Sequence, residues 1–148
     1  RSFHVTGVQT CALPIWRLVD CRDWIKFDGC CAARRILGGW GNSDESEVNF
    51  PGDPYRAMTL RTWDPVRRKW TLYQLDRRRP GKLGAPVRGG FDKGLGVFLG
   101  DDRHEGRPIR VRCLWSRITE NSARWEQAFS PDRGISWETN WYMDFTRL

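Results

Sequence analysis

The chain has 148 residues, a formal net charge of +7 and 39% hydrophobic residues. That is enough for one domain with a real core and too little for several. No apolar run approaches the ~20 residues a membrane-spanning helix needs. The charge favours solubility and a mild attraction to anions without identifying a partner.

Residues 5–15, Val-Thr-Gly-Val-Gln-Thr-Cys-Ala-Leu-Pro-Ile, resemble the conceptual translation of a common sequencing adapter. In that frame one T is left over, and it supplies the first base of the TGG codon of Trp16. The expectation is that residues 1–16 are adapter read-through and that residues 17–148 form a single, N-terminally truncated domain. The competing reading is a genuine strand, since Val5, Val8 and Ile15 are good strand formers. Setting the segment aside as a fusion scar is set aside removes Cys11, His4 and Arg1, its one charged residue. The compartment then defaults to the cytoplasm, with a lost signal peptide as the open alternative.

Helical periodicity is nearly absent from the remainder. Short β-branched and aromatic stretches alternate with turn clusters at intervals of about ten residues, the pattern of a sandwich or barrel. Residues 23–29 read as a loop and 30–37 as a strand ended by Gly38-Gly39. Residues 40–45 read as a polar loop and 47–50 as a short strand before the turn Pro51-Gly52-Asp53-Pro54. Strands over 55–63 and 69–75 flank Asp64-Pro65-Val66-Arg67-Arg68, where proline suits the second turn position. Residues 77–86 form the longest irregular stretch. Strands over 87–92 and 95–100 pair across Lys93-Gly94, and a strand over 109–118 follows the turn 101–108. Strands over 123–130 and 137–145 make a last hairpin across 131–134.

The expected fold class is therefore all-β, with about nine strands and connections short enough for antiparallel neighbours. They form an up-and-down meander that closes into a barrel, lacking its first native strand. Alternation puts Ile109, Val111, Cys113 and Trp115 on one face and Arg110 and Arg112 on the other. Trp125, Gln127 and Phe129 lie opposite Arg124 and Glu126. Trp137, Thr139, Trp141, Met143 and Phe145 form another apolar face, opposite Glu138, Asn140 and Asp144. A lumen lined by tryptophan and aliphatic side chains with a few polar groups suits a small ligand; a barrel packed solid by the same aromatics is the alternative.

Few motifs carry chemistry. Cys21, Cys30, Cys31 and Cys113 lack zinc-ligand spacing and read as reduced, mostly buried thiols, with one of the 30/31 pair a candidate for exposure. Ser130-Pro131-Asp132-Arg133-Gly134-Ile135-Ser136-Trp137 is similar to the Asp box of sialidases and related propellers. There the aspartate bonds backbone amides, glycine permits a left-handed bend and tryptophan packs beneath. That is an architectural turn, and one copy cannot build a propeller. His104 stands alone in a turn, Asp101-Asp102 reads as a solvated pair, and no metal site or cofactor is expected. The basic stretches Arg67-Arg68-Lys69 and Arg77-Arg78-Arg79-Pro80-Gly81-Lys82 raise single-stranded nucleic acid as a partner. Solvated loops with inward tryptophans are the favoured reading.

Several segments together resemble a bacterial family grouped with the DUF1579-type domains, calycin-like and lipocalin-like β-barrels with no assigned reaction. They are Ile36-Leu37-Gly38-Gly39 with Gly41-Asn42, Pro54-Tyr55-Arg56 and Thr59-Leu60-Arg61-Thr62-Trp63-Asp64-Pro65. Further on come Gly106-Arg107-Pro108-Ile109-Arg110-Val111-Arg112, residues 122–130 and Trp137-Glu138-Thr139-Asn140-Trp141. The resemblance covers nearly all of residues 17–148, although relatives carry another strand before Asp20. A barrel short of that strand has two open edges that invite pairing with a second copy.

The functional expectation is binding of a small, partly apolar molecule inside the barrel. Trp115, Trp125, Gln127, Thr139 and Trp141 line the lumen, with Tyr73 and Arg61 orienting polar groups at the rim. No membrane partner is expected. The rival is an isomerase or hydrolase using Glu126 or an aspartate as base in the same pocket, which a raised carboxylate pKa would mark. A haem barrel resembling nitrobindin needs an axial ligand that His104 is badly placed to supply.

Overall fold

The computed structural model describes residues 5–14 and 16–148. Arg1 to His4 and Ile15 lie outside the described residues, and so does that part of the expectation made for residues 1–16. Ten strands follow in order: β1 (Val5–Pro14), β2 (Trp24–Ile36), β3 (Gly41–Val48), β4 (Tyr55–Asp64) and β5 (Lys69–Asp76), then β6 (Val87–Asp92), β7 (Leu95–His104), β8 (Arg107–Ser116), β9 (Ser122–Ser130) and β10 (Glu138–Arg147). Each pairs antiparallel with its neighbour in sequence, and β1 also pairs with β10, so the meander closes into a barrel. This is the lipocalin-like architecture expected.

Closure corrects one expectation. β1 pairs with β2 from Val5↔Ala33 to Pro14↔Trp24 and with β10 from Gly7↔Arg147 to Ala12↔Tyr142. Residues 5–14 occupy the place where a first strand was expected to be lacking, so among the described residues the sheet has no open edge of the kind on which pairing with a second copy was to rest. The fit depends on Gly7, where a Cβ would lie 2.8 Å from the Thr146 carbonyl oxygen. It is imperfect at Gln9, which is 2% exposed and has neither side-chain polar atom partnered among the described residues.

Two further boundaries differ from the sequence reading. Residues 24–29, taken as loop, begin β2: Ile25, Phe27 and Gly29 face Leu13, Cys11 and Gln9 across the pair. Residues 41–45, taken as a polar loop, lie in β3, because three of its inward positions are polar (Asn42, Asp44 and Ser46).

A ten-stranded barrel is wider than the eight-stranded kind that just holds side chains or one small ligand. Here much of the width is taken up by large side chains. One cluster gathers Leu72, Phe98, Ile109, Val111, Cys113, Trp125 and Phe129. The other gathers Cys11, Leu13, Phe27, Val48 and Tyr55, and Trp141 and Met143 touch both. Gly89 lets strands approach closely there, since a Cβ on it would sit 1.8 Å from the Val97 carbonyl oxygen. The ladder is thinnest between β5 and β6, which share three paired positions.

Candidate ligand site at the barrel mouth

The register sorts the two ends of the barrel. At one end lie residues 16–23, the 77–86 loop and the β9–β10 turn; at the other lie the turns at 37–40, 65–68 and 93–94.

The first end is covered. Leu18 packs onto the core, and the Glu138 carboxylate accepts the amides of both Leu18 and Asp20. Leu18 and Asp20 hold left-handed φ values of 62° and 50°, so this strap is strained backbone held by the Glu138 carboxylate and by the packing of Leu18 and Arg17. The β9–β10 turn performs the architectural role its motif implied. Asp132 accepts the amides of Ile135 (3.1 Å) and Ser136 (2.9 Å) and the hydroxyls of Ser130 (2.7 Å) and Ser136 (2.6 Å). Those donors hold its carboxyl down at about 2. Gly134 takes φ 95°, and its carbonyl accepts Trp137 Nε1 at 3.1 Å. The Trp137 ring lies 4.6 Å from the Arg112 guanidinium on the outer face.

The second end is open. Three tryptophans on adjoining segments form a row: Trp63 and Trp70, inward on β4 and β5, and Trp40 in the turn before β3. The Trp63 amide donates to the Trp40 carbonyl at 2.9 Å, and Trp63 pairs with Trp70 across β4–β5 at 5.5 Å between ring centroids. With Gly38 and Gly39 they line a cleft of about 450 Å³. Both glycines take left-handed φ, 61° and 101°, with open space where a side chain would stand, so the turn leaves one wall low and Trp40 55% exposed. The next row inward is Asn42, Arg61 and Leu72. Arg61 Nη1 pairs with the Asp44 carboxylate and donates to Asn42 Oδ1 at 3.0 Å.

The residues expected to form the site divide. Trp115, Trp125, Gln127 and Trp141 face inward, but they are core: Trp115 stacks on Phe145 at 5.5 Å, and Trp125 meets Trp141 edge-on at 5.9 Å. Thr139 does not join them. A bulge between Thr139 and Trp141 resets the alternation, so Thr139 pairs beside outward Ala128 while Asn140 turns in, fully buried, and accepts from Gln127 Nε2 at 2.9 Å. Tyr73 pairs with Leu60 on the outer face, opposite in sense to Arg61 and Leu72, so it leaves the set. Arg61, expected at the rim, faces inward one row below the open end.

Other sequence readings resolve similarly. His104 ends β7 as an inward residue, its ring 5.6 Å from Phe129, so it belongs to a strand end and not a turn. Asp101 and Asp102 follow each other along β7 and face opposite sides of the sheet, which prevents them from sharing a cation. Glu126, the proposed base, pairs with Tyr142 and Leu114 on the outer face. The carboxylates displaced by their surroundings, Asp64, Asp76, Asp132 and Asp144, are all displaced downward, the opposite of a desolvated base. The two basic turns lie at opposite ends of β5, and Arg78 is spent on Asp76 (2.6 Å) and on the face of Tyr55 (3.5 Å). They therefore do not build one groove. Among the described residues no helix is long and apolar enough to cross a membrane.

The row of three indoles was missed from sequence. A signal was available: Trp63 and Trp70 stand symmetrically about the Asp64–Lys69 turn, and Trp40 follows a double glycine. No family model matches the chain, and no curated protein is significantly similar to it.

Proposed function

We propose that this barrel binds a small, partly apolar molecule at its mouth, against Trp40, Trp63 and Trp70. The observation that carries the reading is the open cleft of about 450 Å³ with three indoles and two side-chain-free glycines as its lining. Its size is in the range of small-molecule sites, and its lining is of the apolar, aromatic kind they use. Trp40 is 55% exposed and Trp63 and Trp70 are half-buried, Trp70 also packing on the core; the parts of these rings left open to the cleft offer a stacking surface. The interior row then limits how far a ligand enters, which moves the site from the lumen centre to the rim.

The test is a titration with the neutral dye N-phenyl-1-naphthylamine, read by dye emission and indole quenching. One saturable site is expected, weakened about tenfold or more in Trp63→Ala, since stacking on an aromatic contributes ~1–3 kcal/mol. The melting temperature of that variant reports whether the barrel is intact. Absence of saturable binding, or equal binding by a folded Trp63→Ala, would overturn the reading.

A further inference from the structure

We propose that the molecule taken at this mouth is a flat aromatic anion, in its simplest form an aryl carboxylate, lying face-on along the Trp40–Trp63–Trp70 row with its charged group turned toward Arg61. The inference rests on the functional reading above and specifies its ligand.

Shape comes from the lining. The rings of Trp63 and Trp70 stand 5.5 Å apart and 54° from parallel, a splayed pair that admits the edge or face of a further ring, as aromatic pairs prefer. Trp40 adds the outer flank, and Gly38 and Gly39 leave the entry clear. No side chain of this lining offers polar atoms other than indole N–H groups. A sugar, which needs many hydrogen-bond partners, is poorly served by such walls; a conjugated ring is well served.

Charge comes from what surrounds the lining. Three indoles also suit a cation, but no carboxylate lines the cleft and the chain is +7 overall. The adjoining turn carries Arg67, Arg68 and Lys69, and its acidic residue, Asp64, is taken by Arg67 at 2.9 Å. Arg61 does not itself line the cleft; it stands one row in, between Asn42 and Leu72, and is the donor to which we assign the anion. Both of its bonds, to Asp44 and Asn42, use Nη1, which leaves Nη2 and Nε, the side of the guanidinium fork that receives a carboxylate. The guanidinium is also the more reachable member of its pair, with 19% of the Arg61 side chain exposed against 9% for Asp44. Asp44, one row deeper, and Asn42, in the same row, thus hold the guanidinium through Nη1, and the ligand's anion has to reach down one row to the other nitrogens.

The experiment compares three probes of one ring system by calorimetry at pH 7: 1-naphthoate, 1-naphthalenemethanol and 1-naphthalenemethylammonium. Naphthoate is expected to bind at least tenfold tighter than either of the others, and that preference should shrink steeply as salt rises from low to high ionic strength. In the double variant Asp44→Asn/Arg61→Gln, which removes both charges together and leaves neither buried alone, naphthoate and the alcohol should bind equally. If naphthoate binds no tighter than the alcohol, or keeps its preference in the folded double variant or at high salt, the anion assignment is overturned while the mouth remains a ligand site. Tighter binding of the ammonium overturns it in favour of a cation cage. Should none of the three bind, the functional reading falls with it.

Discussion

Gln9→Met replaces the interior amide of β1 with a side chain of nearly the same length and shape. Gln9 is 2% exposed, and neither Oε1 nor Nε2 meets a partner among the described residues. A buried polar group left unpaired costs ~1–3 kcal/mol, and the thioether avoids that cost while keeping the volume, the best-tolerated kind of core change. Its terminal methyl takes the place of Nε2, which already lies against Gly29: a Cβ there would be 2.7 Å from it. The expected gain is therefore about 1–3 kcal/mol, or roughly 2–10 °C in melting temperature for a domain of this size. Urea unfolding followed by tryptophan emission measures it directly, with an unchanged slope confirming that only stability moved. A Gln9→Met protein no more stable than the parent would refute the reasoning and show that the amide is satisfied in solution, for instance by enclosed water.

Four other outcomes are expected. Trp141→Ala should cost roughly 3 kcal/mol or more, as large core truncations do, whereas Thr139→Ala should stay within about 0.5 kcal/mol; chemical denaturation of both checks the bulge that separates them. The folded Asp132 carboxyl at about 2 lies below its ordinary 3.8. Its stabilisation of the β9–β10 turn is therefore complete above pH ~4 and lost as pH falls through 2, so amide exchange at Ile135 and Ser136 should accelerate across that window beyond the intrinsic pH trend. Glu138→Ala should free the amides of Leu18 and Asp20 and open residues 16–23 to limited proteolysis; an equally resistant strap would show that the packing of Leu18 and Arg17 alone holds it. Cys30 is exposed, while burial pushes the Cys11 and Cys113 thiols up to about 12. Alkylation followed by mass spectrometry should therefore modify Cys30 first, with Cys11 and Cys113 reacting on unfolding.

The fold was legible where polar and apolar residues alternate without interruption. In β8, Ile109, Val111, Cys113 and Trp115 face inward and Arg110 and Arg112 outward, as period-two reading expects, and the β6–β7 hairpin turns at Lys93-Gly94. It failed where the period breaks or the inward side is polar. A single extra residue at Asn140 reverses Thr139, and no hydropathy pattern shows a bulge. Asn42, Asp44 and Ser46 face the interior of β3 and look like loop. In β5 both faces carry large apolar groups, Trp70 and Leu72 inward and Tyr73 and Leu75 outward, so alternation does not say which side Tyr73 takes. The site was only partly legible for a related reason. Arg61 stood out as a charged residue in an apolar strand, but the indole row exists only through the register that brings Trp40 beside Trp63.

The pairing that closes the ring also sets the order in which the molecule assembles. Every other strand pairing joins chain neighbours, whereas Gly7 meets Arg147 and the Leu148 amide reaches the Thr6 carbonyl at 3.0 Å. Loop-closure entropy makes that encounter the slowest to form, so refolding should populate an open ten-stranded curl before β1 and β10 zip shut. Because Thr6 and Leu148 lie side by side, a short peptide linking them in place of residues 1–5, with the chain reopened in the 77–86 loop, would turn the slowest encounter into a local hairpin. The burden of long-range closure would pass to β5–β6, the seam with the fewest rungs.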